Sequence, residues 1–105
     1  MGKVRFSNMA VEDLTAIWNY TEGKWSEQQA DSYYGQLIAA SRRIADEPFL
    51  PGSKKYDHIE AGLCGFKIHK HILFYRVIEE QSIFIVRILH ERMDINNRLI
   101  EPAVE

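Results

Sequence analysis

The sequence predicts an α+β fold in the order β-α-α-β-β-β, a helical hairpin packed on a small antiparallel sheet and followed by a short C-terminal helix. Three observations predict it. Apolar residues in the first half recur at helical spacing behind two helix-start signals. The second half is rich in β-branched and aromatic residues arranged in short runs. A polar link, Glu79-Glu80-Gln81-Ser82, separates the two longest of those runs. A chain of 105 residues has room for one core, so a single domain spanning 1–105 is expected.

Lys3 to Ser7 alternates charged with apolar side chains, as a half-buried strand does. Ser7 then serves as N-cap of a helix whose stripe is Ala10, Leu14, Ile17 and Trp18. Glu12 and Asp13 lie in its early turns, where the helix dipole favours acids, and Gly23 marks its end. Ser26 with Gln29 three residues on reads as a capping box, and Trp25 with Ala30 as a hydrophobic staple. From there Ala30, Tyr33, Tyr34, Leu37, Ile38, Ser41, Ile44 and Ala45 hold helical spacing until Pro48 closes the run. The link between the helices is short, so they pack as an antiparallel hairpin with Trp18, Trp25, Tyr33 and Tyr34 in its core or seam. Phe49 to Ile59 shows no clear period, contains Pro51-Gly52, and reads as a connecting loop.

Cys64, Phe66 and Ile68 alternate with Gly65, Lys67 and His69, a strand with one buried face, and Lys70 belongs to the turn after it. His71 to Ile78 and Ile83 to Leu89 form the next antiparallel hairpin. Strict alternation sends Ile83, Ile85 and Leu89 one way with Arg87, and Phe84, Val86 and Ile88 the other way with His90. Both faces are thus apolar, and each such side chain left in water forfeits roughly 1.5–3 kcal/mol of burial. The tail carrying Met93, Ile95, Leu99 and Ile100 is too short to cover a sheet, so a partner is expected to supply the rest.

Composition narrows the function classes. With 46% hydrophobic and 27% charged residues the chain is neither disordered nor collagen-like. No apolar run is long enough to span a membrane, the N-terminus lacks a signal-peptide core, and the one cysteine cannot form an internal disulfide; a soluble cytoplasmic protein is expected. The net charge of −2 conceals a basic stretch from Lys54 to Arg76, where Lys54, Lys55, Lys67, Lys70 and Arg76 face only Asp57 and Glu60. Such a stretch suits an acidic partner or nucleic acid, and equally a solvated strand edge.

No nucleophile-and-base pair announces itself. Cys64 falls on the apolar face of a strand and reads as a small buried hydrophobe. His69 and His71 share a strand face if the strand is unbroken, but no third ligand completes a metal site, so neither metal nor cofactor is expected. His90, with Glu91 and Arg92, ends a core strand in a polar cluster that suits either acid–base work or a surface ion pair.

The element order and a scattered set of residues resemble the ParE branch of the ParE/RelE toxin superfamily over nearly the whole chain. The marks are Ser7, Ala10-Val11-Glu12-Asp13-Leu14, Ile17, Tyr20, Trp25, Gln29-Ala30 and Tyr33. They continue with Pro48, Gly62-Leu63, His71-Ile72-Leu73-Phe74-Tyr75-Arg76, Arg87-Ile88-Leu89-His90 and Arg92-Met93-Asp94. The resemblance implies a toxin of a toxin–antitoxin operon that inhibits growth by poisoning DNA gyrase through its A subunit. It implies neutralisation by a ParD-like antitoxin from an adjacent gene, whose flexible C-terminal segment lies along the toxin's helices and sheet. On that basis Trp18, Tyr34, Leu37, Phe84, Val86 and Ile88 are antitoxin-binding candidates, and Lys67, Lys70, Arg76, Arg87, Arg92, Met93 and Leu99 target-binding candidates. No sequence-specific DNA binding by the chain alone and no catalytic residue are expected. The alternative within the superfamily is a RelE-like ribosome-dependent mRNA endonuclease, for which Arg76, Arg87, His90 and Arg92 would form the catalytic set. A third reading is a non-toxic homologue that keeps only antitoxin binding. One departure stands out: many relatives carry basic residues after the Gly-Leu pair, where this chain has Cys64-Gly65.

Overall fold

Ser7 sets the first change of direction. Its backbone is extended and its Oγ accepts from the Ala10 N–H at 2.9 Å, so strand β1 (Lys3–Phe6) stops and helix α1 (Asn8–Lys24) starts at that residue. The second start signal works likewise: Ser26 Oγ accepts from the Gln29 N–H at 3.0 Å and opens α2 (Glu27–Asp46). The staple does not form, because Trp25 stays 71% exposed while Ala30 is fully buried. Trp18 and Tyr33 are half-buried and Tyr34 is largely exposed, so of the four aromatic residues expected in the hairpin seam only the first two pack there. The computed structural model describes residues 2–93 and 95–100.

The remaining elements are β2 (Ser53–Lys55), β3 (Cys64–Ile68), β4 (His71–Glu79), β5 (Ser82–His90) and α3 (Ile95–Ile100). They build one five-stranded sheet in the order β1-β5-β4-β3-β2. Two features depart from the expected small antiparallel sheet, one in direction and one in strand number. β1 runs parallel to β5, pairing Lys3–Phe6 with Ser82–Ile85. The supposed loop contains β2, which pairs antiparallel with β3 once Gly52, at φ +99°, has turned the chain. The β3–β4 and β4–β5 connections are two-residue turns, with His69 and Gln81 at positive φ.

The expected strict alternation along β5 also fails, for a specific reason. Tyr75 pairs with Ile85 but Phe74 pairs with Arg87, so β5 carries one extra residue at Val86. This bulge exchanges the faces beyond it. Ile83, Ile85 and Ile88 therefore join the core beneath the helices, with Leu37, Ile44, Leu73 and Tyr75. Leu89 turns to the other face with Val86.

That other face corrects a third expectation. Leu63, Ile72, Phe74 and Leu89 are buried there without any partner, because Tyr56 and Ile59 of the β2–β3 connection and Ile95 and Leu99 of α3 pack over them. The Tyr56 ring stands edge-on to Phe74 at 5.1 Å between centroids. A Cβ on Gly65 would lie 2.6 Å from Tyr56 Cε2, so only glycine admits that ring. The chain supplies most of its own second cover.

Candidate functional site

Two polar clusters lie where the helices meet β5. The first is built on the stretch of β5 beyond the end of β1, where strand polar groups lack a strand partner. Ser7 Oγ donates to the Val86 carbonyl at 2.6 Å, and Asp13 Oδ2 accepts from the Ile88 N–H at 2.9 Å. The same carboxylate takes Arg87 through Nε at 2.9 Å and Nη2 at 3.0 Å, while Nη1 donates to the Arg98 carbonyl of α3 at 3.3 Å. Both side chains of the pair are largely buried. This is a fastening: bidentate, desolvated and joined to backbone at both ends.

The second cluster gathers where β4 and β5 end. His71 and His90 are register partners, with rings edge-on at 5.3 Å. Tyr33 of α2 reaches across, its hydroxyl 2.6 Å from His71 Nδ1, and its ring also meets His69 at 5.6 Å. His69 Nε2 lies 2.6 Å from Gln36 Oε1. Burial, then the neighbouring His90, pushes His71 down to about 4, against the opposing pull of Asp13 and Glu91. Burial likewise raises the Tyr33 phenol. His71 is therefore neutral at physiological pH and bonded to a protonated phenol. The cluster forms one wall of a cavity of about 540 Å³ reaching to Tyr20, Lys24 and Trp25 at the hairpin tip.

The other predicted residues are dispersed. Arg76 lies on the second sheet face, since it alternates with Tyr75, and pairs with Glu60 at 2.7 Å; Lys67 pairs with Glu91 at 2.7 Å. His90 shares the helix-side face through its pairing with His71, and Arg92 follows it in the turn, its N–H donating to His90 Nδ1. The Arg76, Arg87, His90 and Arg92 set is thus divided between opposite faces of the sheet. Glu91 of this cluster forms an ion pair with Lys67, while the His90 ring stands edge-on to His71. Lys70 is exposed at the cavity, Met93 is 44% exposed, and Leu99 packs under the sheet. Of the antitoxin candidates, Leu37 and Ile88 are buried in the helix-side core. Trp18, Phe84 and Val86 are half-buried and Tyr34 is exposed. Trp18 Nε1 donates to Asp31 at 2.9 Å.

Cys64 is buried, and burial raises its thiol pKa. Among the described residues no group of three His, Cys, Asp or Glu side chains is placed to hold a metal, and no helix is long and apolar enough to cross a membrane. The sequence reading missed Tyr33, Gln36, Lys24 and Tyr20 as neighbours of the histidines. No local signal marks them, because they come from helices more than thirty positions away.

Residues 4–95 match the family described as the ParE toxin of the type II toxin-antitoxin system, parDE. The chain is 37% identical over 93 residues to toxin ParE1 of Mycobacterium tuberculosis, covering 89% of this chain and 93% of that protein. It is 33% identical over 94 residues to toxin ParE1 of Caulobacter vibrioides, covering 90% and 94%. To toxin ParE of Escherichia coli it is 30% identical over 94 residues, covering 88% and 87%. Among solved structures, a chain of the chromosomal ParDE system of P. aeruginosa superposes with a TM-score of 0.73 at 15% identity, over 86% of this chain and 96% of that one. A chain of a RelBE toxin–antitoxin complex from Mycobacterium tuberculosis gives 0.63 at 21% identity, over 85% and 96%. The two structural likenesses establish the fold.

Proposed function

The chain belongs to the ParE toxin family of type II toxin–antitoxin systems, and on that premise we propose that it inhibits DNA gyrase by binding and is neutralised by a ParD-like antitoxin. The observation that carries a binding rather than a catalytic role is the dispersal of its charged residues. Phosphodiester cleavage needs an acid or base and cationic groups converging on one phosphate. Here Arg87 is held by Asp13, Arg76 by Glu60, and His90 opens on the opposite sheet face. The position after Gly62-Leu63 holds no cation either; it is closed by the Tyr56 ring over Gly65.

The antitoxin's seat is the part of the second face that the chain leaves open. There half-buried Phe84 pairs with Arg5 on one side and, on the other, with Arg76, whose charge Glu60 already meets, so Arg5 is the cation offered beside the apolar centre. That combination suits an extended segment mixing apolar and acidic residues. Induced expression, with supercoiling by purified gyrase and cleavage of ribosome-bound mRNA read side by side, tests the proposal. Loss of supercoiling, relieved by the product of the neighbouring gene, is expected. Intact supercoiling together with cut mRNA would overturn it in favour of the endonuclease reading.

A further inference from the structure

We propose that the cavity between the hairpin tip and the β3–β4 turn is a binding site for a nucleotide unit, a nucleobase carrying a phosphate. At about 540 Å³ it has the size of a small-molecule site. Its chemistry falls into two parts that match the two halves of such a ligand.

One part is aromatic and exposed. Tyr20 and Trp25 stand 66% and 71% exposed at the cavity mouth; Lys24 lies over one face of the Tyr20 ring, and among the described residues no ring stacks on Trp25. A base stacked there removes apolar area from water on both partners, and any base can do so. Gln36 adds edge recognition: its amide oxygen faces His69 Nε2 at 2.6 Å, which leaves its NH₂ group as a donor.

The other part is cationic. Lys24 and Lys70 line the cavity, and among the described residues no carboxylate does. Lys24 Nζ lies 5.7 Å from the Tyr20 ring centroid and 3.3 Å from its hydroxyl, so a positive charge is held beside the stacking platform. Two nearby acids have other partners, Asp31 accepting from Trp18 and Glu91 pairing with Lys67, while Glu22 and Glu27 are exposed beside the hairpin tip. His71, neutral and bonded to Tyr33, shapes the floor and leaves the phosphate charge to the lysines. A simple carboxylate would use the lysines and leave both aromatic faces in water. A nucleotide uses both halves, whether free or as one residue of a single strand.

The test is made on purified protein and is independent of any effect on gyrase. With Trp18→Phe, Trp25 becomes the only tryptophan, and its fluorescence is titrated with adenosine monophosphate, adenosine, inorganic phosphate and a short single-stranded oligoadenylate. Calorimetry on the unsubstituted chain runs in parallel, so a folding defect in the variant cannot mask the result. Saturable quenching by adenosine monophosphate is expected, with binding at least about tenfold weaker for adenosine or phosphate alone and for Trp25→Ala or the double variant Lys24→Ala/Lys70→Ala. Oligoadenylate binding more tightly than the mononucleotide identifies a strand as the ligand; equal binding identifies the free nucleotide. The proposal is overturned if neither binds by calorimetry, if phosphate binds as well as the nucleotide, or if the substitutions leave binding unchanged.

Discussion

The two faces of the sheet bury similar apolar side chains by different means. Beneath the helices, the amphipathic stripe of α2 lays Leu37, Ile44 and Ala45 on Leu73, Tyr75, Ile83, Ile85 and Ile88. On the other face an irregular connection and a six-residue helix close over Phe74 and Leu89 with Tyr56, Ile59, Ile95 and Leu99. The first roof follows a periodic pattern and the second follows none. An apolar face with no periodic cover in the sequence is therefore poor evidence that a partner is missing, since a loop carrying one aromatic ring at the right point can close it.

The comparison breaks first at the point that joins the two covers. Asp13 of α1 holds Arg87, and Arg87 holds the α3 backbone. Asp13→Ala leaves a buried guanidinium and the Ile88 N–H without their acceptor, and a loss of about 3–5 kcal/mol in urea unfolding is expected. A loss below about 1 kcal/mol would mean that the two covers are held independently.

The second face alone is probed by Gly65→Ala. The added methyl meets Tyr56 Cε2 at 2.6 Å and Ile72 Cγ2 at 3.1 Å, so a loss of about 1–3 kcal/mol is expected from displacing the ring. Most of that penalty should vanish in a Tyr56→Ala background, measured as a double-mutant cycle. A neutral Gly65→Ala would show the second cover to be loose.

The smallest effect belongs to the helix-side face. His71 titrates at about 4 in the folded chain against an ordinary value of 6.5, so the unfolded chain binds the extra proton between those values. Its contribution is complete above pH 6.5 and is lost as pH falls towards 4. Discounted for solvent reaching the ring, the loss is of order 1 kcal/mol. Thermal midpoints across that range should fall less for His71→Gln than for the unsubstituted chain. Parallel profiles would rule out the His71 contribution.

Much of this fold was legible because its signals are local. Ser7 and Ser26 cap helices where their neighbours said they would, and the β4–β5 hairpin follows from two apolar runs and a polar turn. The resemblance to toxins also acquires a physical meaning. Ser7, Ala10, Asp13, Leu14 and Arg87 are largely the fastening of α1 to β5, so these marks report the fold more than the action. The candidate site was less legible. His90 looked like one member of a charged C-terminal cluster, yet its register partner is His71 and the cavity it lines is built from α1, α2 and the β3–β4 turn.

By itself the sequence determined the element order, both helix starts, the buried Cys64 and the family, because capping, periodicity and burial preference are properties of near neighbours. Only the tertiary structure decided the rest. The parallel pairing of β1 joins residues almost eighty positions apart, and the Val86 bulge exists only relative to β4. The Tyr56 cover and the meeting of Tyr33 with His71 depend likewise on which distant groups share a face and how far apart they stand, which no local pattern encodes.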